Sequence, residues 1–376
     1  MDVWIDPDTA EGMEDWFMEL YWEWLCSIPG IYRAQQELLL RCFGTPEQIW
    51  RATQKELQHL EERGCKWIWR VSRFQKSCTP ETLMHVRRSQ GIEFISSSHK
   101  RYPMRLGKLP DKPYGLFYRG ALPEETQPGV AVVGARMCTQ NGRLMAETIA
   151  AKVAKAGGAL ISGAAYGIDG AAQWASLENG GKSCAVLGCG VNVCYPASHA
   201  HLLERLKENG CVISEFPPDT QPLRYHFPMR NRIISGMADV VVVVEAKRKS
   251  GSLITAEFAA EQGKIVMAVP GRPEDELSMG CNELIAQGAG ILLSADELIG
   301  MVFPHYREEG EKFPENIRLA PAEKLVYSSL GLHTKNLWEL GEDTALSWQE
   351  LSQSLISLEL KGLVKEVGQN RYRRMK

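Results

Sequence analysis

Between residues 129 and 303 the chain repeats one pattern: a short, almost wholly apolar run, a turn, often bearing glycine, then a stretch of helical period. The apolar runs fall at 130–133, 159–162, 184–187, 211–214, 240–245, 265–269 and 291–293. Helices fit between them, for example over 142–156 and 253–262. A strand with one wet face alternates apolar and polar residues; these runs do not, so both faces must be covered. Helices crossing over between parallel strands provide that cover, which predicts an α/β fold with a doubly wound, mostly parallel sheet. In such sheets ligands sit outside the carboxyl ends of the strands, near the point where strand order reverses.

The flanks read differently. Residues 12–90 carry Leu and Trp at helical intervals with few β-branched runs, and predict an N-terminal helical domain over 1–90. Within it, Ile28-Pro29-Gly30-Ile31 followed by Ala34, Leu38, Leu39 and Phe43 has the pattern of a helix-hairpin-helix or SAM-like turn. Such a turn either aims N–H groups at a phosphate or simply packs two helices, and the acidic residues before it favour packing. Residues 91–128 predict a strand at 91–95, after which Pro103, Pro110, Pro113 and Pro123 break the pattern. The α/β segment then spans 91–305. Residues 306–317 are charged, with Gly310 and Pro314, and predict a linker over 306–321. Helical stretches at 322–330, 334–339 and 347–361 precede two strand-like segments around Gly368-Gln369-Asn370, the pattern of a winged helix over 322–376.

Net charge is −3, from 43 Lys and Arg against 46 Asp and Glu. The chain therefore lacks the basic excess that often marks a nucleic-acid binder. The charge is segregated, however. Residues 1–25 carry eight acidic groups and no basic one, while residues 41–105 carry thirteen basic against six acidic. A basic groove is compatible with the acidic total. The ten cysteines include no CxxC pair, and Cys184, Cys189 and Cys194 recur within one strand and its loop. Reduced thiols are expected, with no metal and no cofactor. The acidic N-terminus has no basic segment leading an apolar run, and the longest apolar run, 240–244, falls far short of the ~20 residues of a membrane helix. A cytoplasmic protein without membrane association is the expectation.

The chemistry is expected in the turns. The first apolar run ends in Val133-Gly134-Ala135-Arg136, where glycine permits close approach to the backbone and arginine offers a forked donor for phosphate. The second ends in Ser162-Gly163-Ala164-Ala165-Tyr166-Gly167-Ile168-Asp169, a hydroxyl and two glycines before a helix start, which predicts an anion site. The third ends in Gly188-Cys189-Gly190-Val191-Asn192-Val193-Cys194-Tyr195-Pro196. Its lone GxG lacks the third glycine of a dinucleotide fingerprint, with Val193 in that place. Tyr195 is a candidate stacking platform or a packed aromatic. Then come Phe227-Pro228-Met229-Arg230-Asn231-Arg232 before a helix, and Ser250-Gly251-Ser252 before another. For Arg230 and Arg232, phosphate binding competes with a structural role for one of the two. Several anion-ready turns along one sheet edge point to a polyanion. No Ser-His-Asp arrangement or metal quartet stands out, so no catalytic residue is assigned.

Taken together, VVGAR, SGAAYGID, AVLGCG with the following YP, ISEFPP, FPMRNRIISG, SGSLITA and VPGRP with GCNELIAQGA resemble the DNA-processing protein A family, in order and over nearly the whole chain. The resemblance implies a Rossmann-like core that binds single-stranded DNA with little sequence preference. It also implies protection of incoming DNA during natural transformation, loading of the RecA recombinase, and a homodimer formed through the Rossmann-like domain. By motif, Arg136, Ser162, Gly163, Arg230 and Arg232 would lie on the phosphate-binding face, joined by Gly134, Gly167, Asn192 and Ser252, with bases on Tyr166, Tyr195 or Met229. The chain departs from the family pattern at Tyr166, where arginine is common, at Gln173, where histidine is common, and at His199, where asparagine is frequent.

Two other readings compete. The core also resembles the nucleotide phosphoribohydrolases known as lysine-decarboxylase-like proteins, with Glu257 and Arg230 as a candidate catalytic pair, although the double glycine of that signature is missing. Alternatively the winged helix reads duplex DNA; Glu350 and Glu359 on its presumed recognition helix weigh against docking in a major groove.

Overall fold

The computed structural model describes residues 10–304, 306, 319–330, 335–366 and 371–374, with side chains from Phe17 onward. The chain forms two compact units, Met1–Tyr306 and Arg307–Lys376.

The first unit begins with six helices: α1 (Ala10–Cys26), α2 (Arg33–Phe43), α3 (Pro46–Arg51), α4 (Gln54–Glu62), α5 (Trp69–Ser77) and α6 (Pro80–Ser89). Thr45, Thr53 and Thr79 each start a helix by accepting the N–H three residues on, which satisfies a donor the helix itself cannot. Trp24, Leu25, Ile28, Leu39, Ile49 and Val71 form the core of this segment. There follow β1 (Glu93–Ser96), α7 (Met104–Gly107), β2 (Gly115–Gly120), β3 (Gly129–Val133), α8 (Gln140–Lys155), β4 (Ala159–Ser162), α9 (Ile168–Glu178), β5 (Lys182–Val186), α10 (Ala200–Glu208), β6 (Gly210–Ser214), α11 (His226–Met237), β7 (Val240–Val243), α12 (Gly251–Glu261), β8 (Ile265–Ala268), α13 (Glu276–Ala286), β9 (Gly290–Ile291) and α14 (Ala295–Val302).

These strands make one sheet in the order β1-β2-β6-β5-β4-β3-β7-β8-β9. From β6 to β9 every pairing is parallel, whereas β2 runs antiparallel to β6 and β1 antiparallel to β2. The expected α/β, doubly wound and mostly parallel sheet is what forms. Its apolar strands are buried on both sides by alternation. Val130 and Val132 pack toward Ile149, Val153, Ile168 and Leu298, while Ala131 and Val133 pack toward Leu106, Ile233, Ala256 and Cys281. The parallel part of the sheet starts at β3, winds outward to β6, then returns to β7 on the other side of β3, so strand order reverses between β3 and β7.

Two elements differ from expectation. β2 lies in a stretch read as broken by prolines; Leu116 and Phe117 are fully buried there and the strand extends the sheet by antiparallel pairing. The last strand is shorter than the run at 291–293, ending at Ile291.

The helical segment is docked on the sheet. Arg33 donates to the carbonyls of Pro110 (2.6 Å) and Lys112 (3.2 Å). The Tyr32 hydroxyl meets His226 Nε2 at 2.9 Å, and His226 stacks on Phe216 with centroids 4.1 Å apart. The Glu19 carboxylate accepts the Ser96 N–H (3.0 Å) and hydroxyl (2.5 Å) at the end of β1.

The second unit contains α15 (Pro321–Ser329), β10 (Lys335–Asn336), α16 (Leu337–Thr344), α17 (Trp348–Leu360), β11 (Val364–Glu366) and β12 (Arg371–Arg374). Its strands form an antiparallel sheet, β10-β12-β11, around Val326, Leu330, Leu340, Leu351, Leu355, Leu358 and Val364. The helix expected at 334–339 starts later because Asn336 caps it, accepting the Glu339 N–H at 2.9 Å. Residues 307–318, which cover most of the expected linker, and the Gly-Gln-Asn turn at 368–370 lie outside the described residues.

Candidate nucleic-acid interface

The reversal between β3 and β7 opens a cleft at the carboxyl ends of the strands, in two lobes that share Arg136, Ala165, Phe227 and Arg230. One lobe, lined further by Gly163, Ala164, Tyr166, Leu187, Gly188, Cys189, Tyr195 and Pro196, lies over the ends of β4 and β5. The other, of about 290 Å³, is lined further by Val133, Gly134, Ala135, Asp169, Asn231 and the start of α12 from Ser250 to Thr255.

The turn after β4, which sequence marks as an anion site, is occupied from within. Asp169 at the start of α9 turns its carboxylate back to accept the Gly163 N–H at 3.2 Å, and the N–H groups of Ala165 and Gly134 also bond to it. Burial pushes the Asp169 carboxyl up, and Arg230 together with these N–H groups opposes the shift. The Ser162 hydroxyl is fully buried and donates to the Val132 carbonyl at 2.6 Å. The Ser162 hydroxyl and the Gly163 and Ala165 N–H groups, which would help cradle a phosphate there, are spent on the protein itself.

Arg230 belongs to the same internal network. It is 5% exposed. Its guanidinium donates to the carbonyls of Gly163 (2.9 Å) and Val186 and to Asn231 Oδ1 (3.1 Å), tying the ends of β4 and β5 to α11. Gly163 has no side chain because a Cβ would come within 2.7 Å of that guanidinium. Burial pulls the Arg230 pKa down to about 10, with Asp169 acting against the shift, so the group stays charged at neutral pH. It reaches the cleft only as part of its floor.

Arg136 is different. It is exposed, lines both lobes and lies over the Phe227 ring, 5.6 Å from its centroid. Its loop is held close to the helix behind it. A Cβ on Gly134 would meet Ile168 at 2.7 Å, and one on Gly167, which has φ +75°, would collide with the Ala135 carbonyl. Thr139 caps α8 and donates to Glu245 at the end of β7 (2.5 Å), bracing the loop from the other side.

Arg136 lies over Phe227, and Tyr195 and Tyr166, 39% and 48% exposed, line the same lobe. Tyr195 and Phe227 have centroids 5.5 Å apart. Tyr166 accepts a hydrogen bond from Ser198 (3.0 Å) and meets His199 edge-on at 5.2 Å, while His199 Nδ1 lies 3.1 Å from the Ala164 carbonyl. Two of the three departures from the family pattern are thus in contact with each other. The third, Gln173, is fully buried beneath, bonded to Ser183 and to the Cys184 carbonyl.

At the start of α12 the Ser250 hydroxyl bonds to that of Ser252 (2.6 Å) and leaves the helix without a side-chain cap. Asn231 holds the Gly251 carbonyl at 3.0 Å. Ser250, Gly251 and Ser252 thus line the cleft at the N-terminus of a helix that no side chain caps, an end whose dipole suits an anion.

The structure therefore brings Gly134, Arg136, Gly163, Tyr166, Tyr195, Arg230 and Ser252 to one cleft. Ser162, Gly167, Asn192, Met229 and Arg232 do not line it. Asn192 is engaged with Asp219, donating and accepting at 2.8 Å. Arg232 is 7% exposed and ion-paired with Glu215 (2.6 Å) and Asp111 (3.4 Å). Phe227, Asn231 and Thr255 line the cleft and were not singled out in the sequence; only the aromatic character of Phe227, one turn before Arg230, could have pointed to it. Glu257 is exposed and outside the lining, and the Arg230 guanidinium is bonded to carbonyls, so the hydrolase-like pair is not assembled. Among the described residues no cluster of His, Cys, Asp or Glu could hold a metal ion, and no helix is long and apolar enough to cross a membrane.

Residues 93–303 match the profile of the family described as DNA recombination-mediator protein A. Protein Smf of a Synechocystis strain is 29% identical over 95% of this chain and 98% of its own length. Among solved structures, DNA processing protein A from Streptococcus pneumoniae superposes with a TM-score of 0.63 at 34% identity, covering 76% of this chain and 97% of that one. DNA processing protein A from Helicobacter pylori, whose structure is described in terms of its single-stranded DNA binding mode, gives 0.52 at 27% identity, covering 57% and 97%.

Proposed function

Because the chain belongs to the DNA recombination-mediator protein A family, we propose that it binds single-stranded DNA in the cleft at the carboxyl ends of β3, β4, β5 and β7. The observation that carries this reading is the exposed Arg136 over Phe227, in a cleft that Tyr166 and Tyr195 also line. A cation flanked by aromatic faces serves a strand whose bases are free to leave the stack, since phosphate meets guanidinium and bases meet rings. A duplex keeps its bases stacked and offers those rings nothing. The start of α12, with Ser250, Gly251 and Ser252, receives a neighbouring phosphate. The Helicobacter pylori relative, described by its single-stranded DNA binding, supports the assignment.

Within this reading the protein is a recombination mediator and not an enzyme. It protects incoming DNA in transformation and passes it to the RecA recombinase in the cytoplasm. A homodimer through the Rossmann-like domain would cover Ile265, Ile291 and Leu293, which are 49%, 47% and 70% exposed at the β8–β9 edge. The second unit is a winged helix.

The test is fluorescence anisotropy of labelled oligo-dT against a duplex of equal length, over a salt series, with wild type and Arg136→Ala. Preference for the single strand, weakened by salt and by the substitution, is expected. Equal affinity for both forms, or binding indifferent to Arg136, would overturn the proposal.

A further inference from the structure

From Leu337 to Leu360 the chain carries five carboxylates, Glu339, Glu342, Asp343, Glu350 and Glu359, and no Lys, Arg or His. All five are exposed. The same stretch, α16 and α17, exposes four large apolar side chains: Trp338 (64%), Trp348 (55%), Ile356 (60%) and Leu360 (85%). The two tryptophans meet, and the exposed apolar residues of α17 share one face. Trp338 and Trp348 have ring centroids 6.1 Å apart, and Trp348, Ser352, Ile356 and Leu360 follow at intervals of four along α17. Residues four apart form a ridge on a helix, and twelve residues of rise make this ridge about 18 Å long. The core of the unit does not need these groups, because Leu351, Leu355 and Leu358 fill it from the opposite face of α17.

We infer that this ridge is a docking surface for one amphipathic α-helix of a partner protein, with an apolar stripe flanked by Lys and Arg. An i, i+4 ridge is the shape that packs into the groove of another helix, and tryptophans are the residues that most often dominate such contacts. Charge selects among the occupants. Asp343 is paired with Lys335 of β10 at 2.6 Å, and DNA phosphates would face the other four carboxylates with no cation on either helix. A second copy placed ridge to ridge would set carboxylates against carboxylates. A basic helix meets apolar groups along the ridge and opposite charge on its rim. The nearest cation in sequence, Lys361, is drawn onto Glu323 at 2.7 Å by both carboxylate oxygens. The arginines Arg371 and Arg373 belong to β12, not to these helices.

The experiment uses the full chain and two labelled helical peptides of about twenty residues, one of Leu and Lys and its twin with every Lys replaced by Glu. Binding is read by anisotropy at moderate salt. The Leu/Lys peptide is expected to bind at least tenfold tighter than the Leu/Glu twin. Ile356→Ser with Leu360→Ser, both exposed and outside the core, is expected to weaken it at least tenfold while leaving the melting temperature unchanged. Glu339→Lys with Glu342→Lys and Glu359→Lys is expected to reverse the preference toward the Leu/Glu twin. Peptide binding unaffected by the serine pair would overturn the proposal. So would displacement of the peptide by a thirty-base-pair duplex whose own affinity falls in the serine variant, which would make the ridge a DNA reader. A sedimentation mass that falls on the serine substitutions would assign it instead to a second copy.

Discussion

Arg136 and Arg230 share a residue type and a cleft, yet only one has donors to offer. Arg230 is buried and its guanidinium serves two carbonyls and Asn231, so Arg230→Ala should act on the fold. It would strip the buried Gly163 and Val186 carbonyls and Asn231 Oδ1 of their donor, a loss on the order of 1–3 kcal/mol or more, read as a shift in urea unfolding. Arg136→Ala should leave the urea midpoint in place and weaken oligo-dT binding about tenfold or more, the scale of one charge-assisted contact at roughly 1.5–3 kcal/mol. Tyr166→Phe keeps the ring and loses only the Ser198 hydrogen bond, so its affinity should stay close to wild type; Tyr166→Ala should lower it by about 1–3 kcal/mol if a base stacks there. A Phe variant as weak as the Ala variant would show that the hydroxyl, and not the ring face, matters. Sequence motifs placed these residues near one another but could not rank them. Ser162, Arg230 and Arg232 look as available as Arg136 in a written sequence, because what consumes their donors is a carbonyl or carboxylate far along the chain, such as Val132 for Ser162 and Glu215 for Arg232.

Among the elements, the parallel strands were legible because each is built on an apolar run, and five consecutive valines at Val240–Val244 leave little choice. β2 was not, since its pairing with β6 depends on the return of the chain and not on any local period. The docking of α1 on β1 was equally hidden, and it has a consequence in pH. Glu19 accepts two hydrogen bonds from Ser96, but burial outweighs them and lifts its carboxyl from 4.5 to about 7. The fold therefore favours the protonated form. That contribution is complete below about pH 4.5 and is lost as pH rises through about 7. Glu19→Gln keeps a carbonyl oxygen for the Ser96 N–H and cannot ionise. Between pH 5 and pH 8.5 wild type should lose about 2 kcal/mol of unfolding free energy that the variant does not. Parallel pH curves for the two proteins in urea unfolding would place the titration elsewhere.

For the whole molecule, each unit has a core made from its own residues, and every residue lining the cleft falls between Val133 and Thr255. Single-strand binding should then be a property of the first unit. A chain ending at Tyr306 is expected to keep its affinity for oligo-dT within about twofold, since nothing in the cleft is removed. The salt series makes the comparison sharper than affinity alone. Each phosphate contact on a single strand contributes roughly 0.7 to the slope of log K against log salt. The second unit carries Arg371, Arg373 and Arg374 on β12. If they touched the bound strand, the full chain would show a slope steeper by about 2 than the shortened one. Equal slopes are expected, because five carboxylates on α16 and α17 oppose the approach of a polyanion to this unit. A shallower slope with a tenfold weaker affinity after truncation would instead make the second unit part of the DNA-binding surface, and the cleft only half of it.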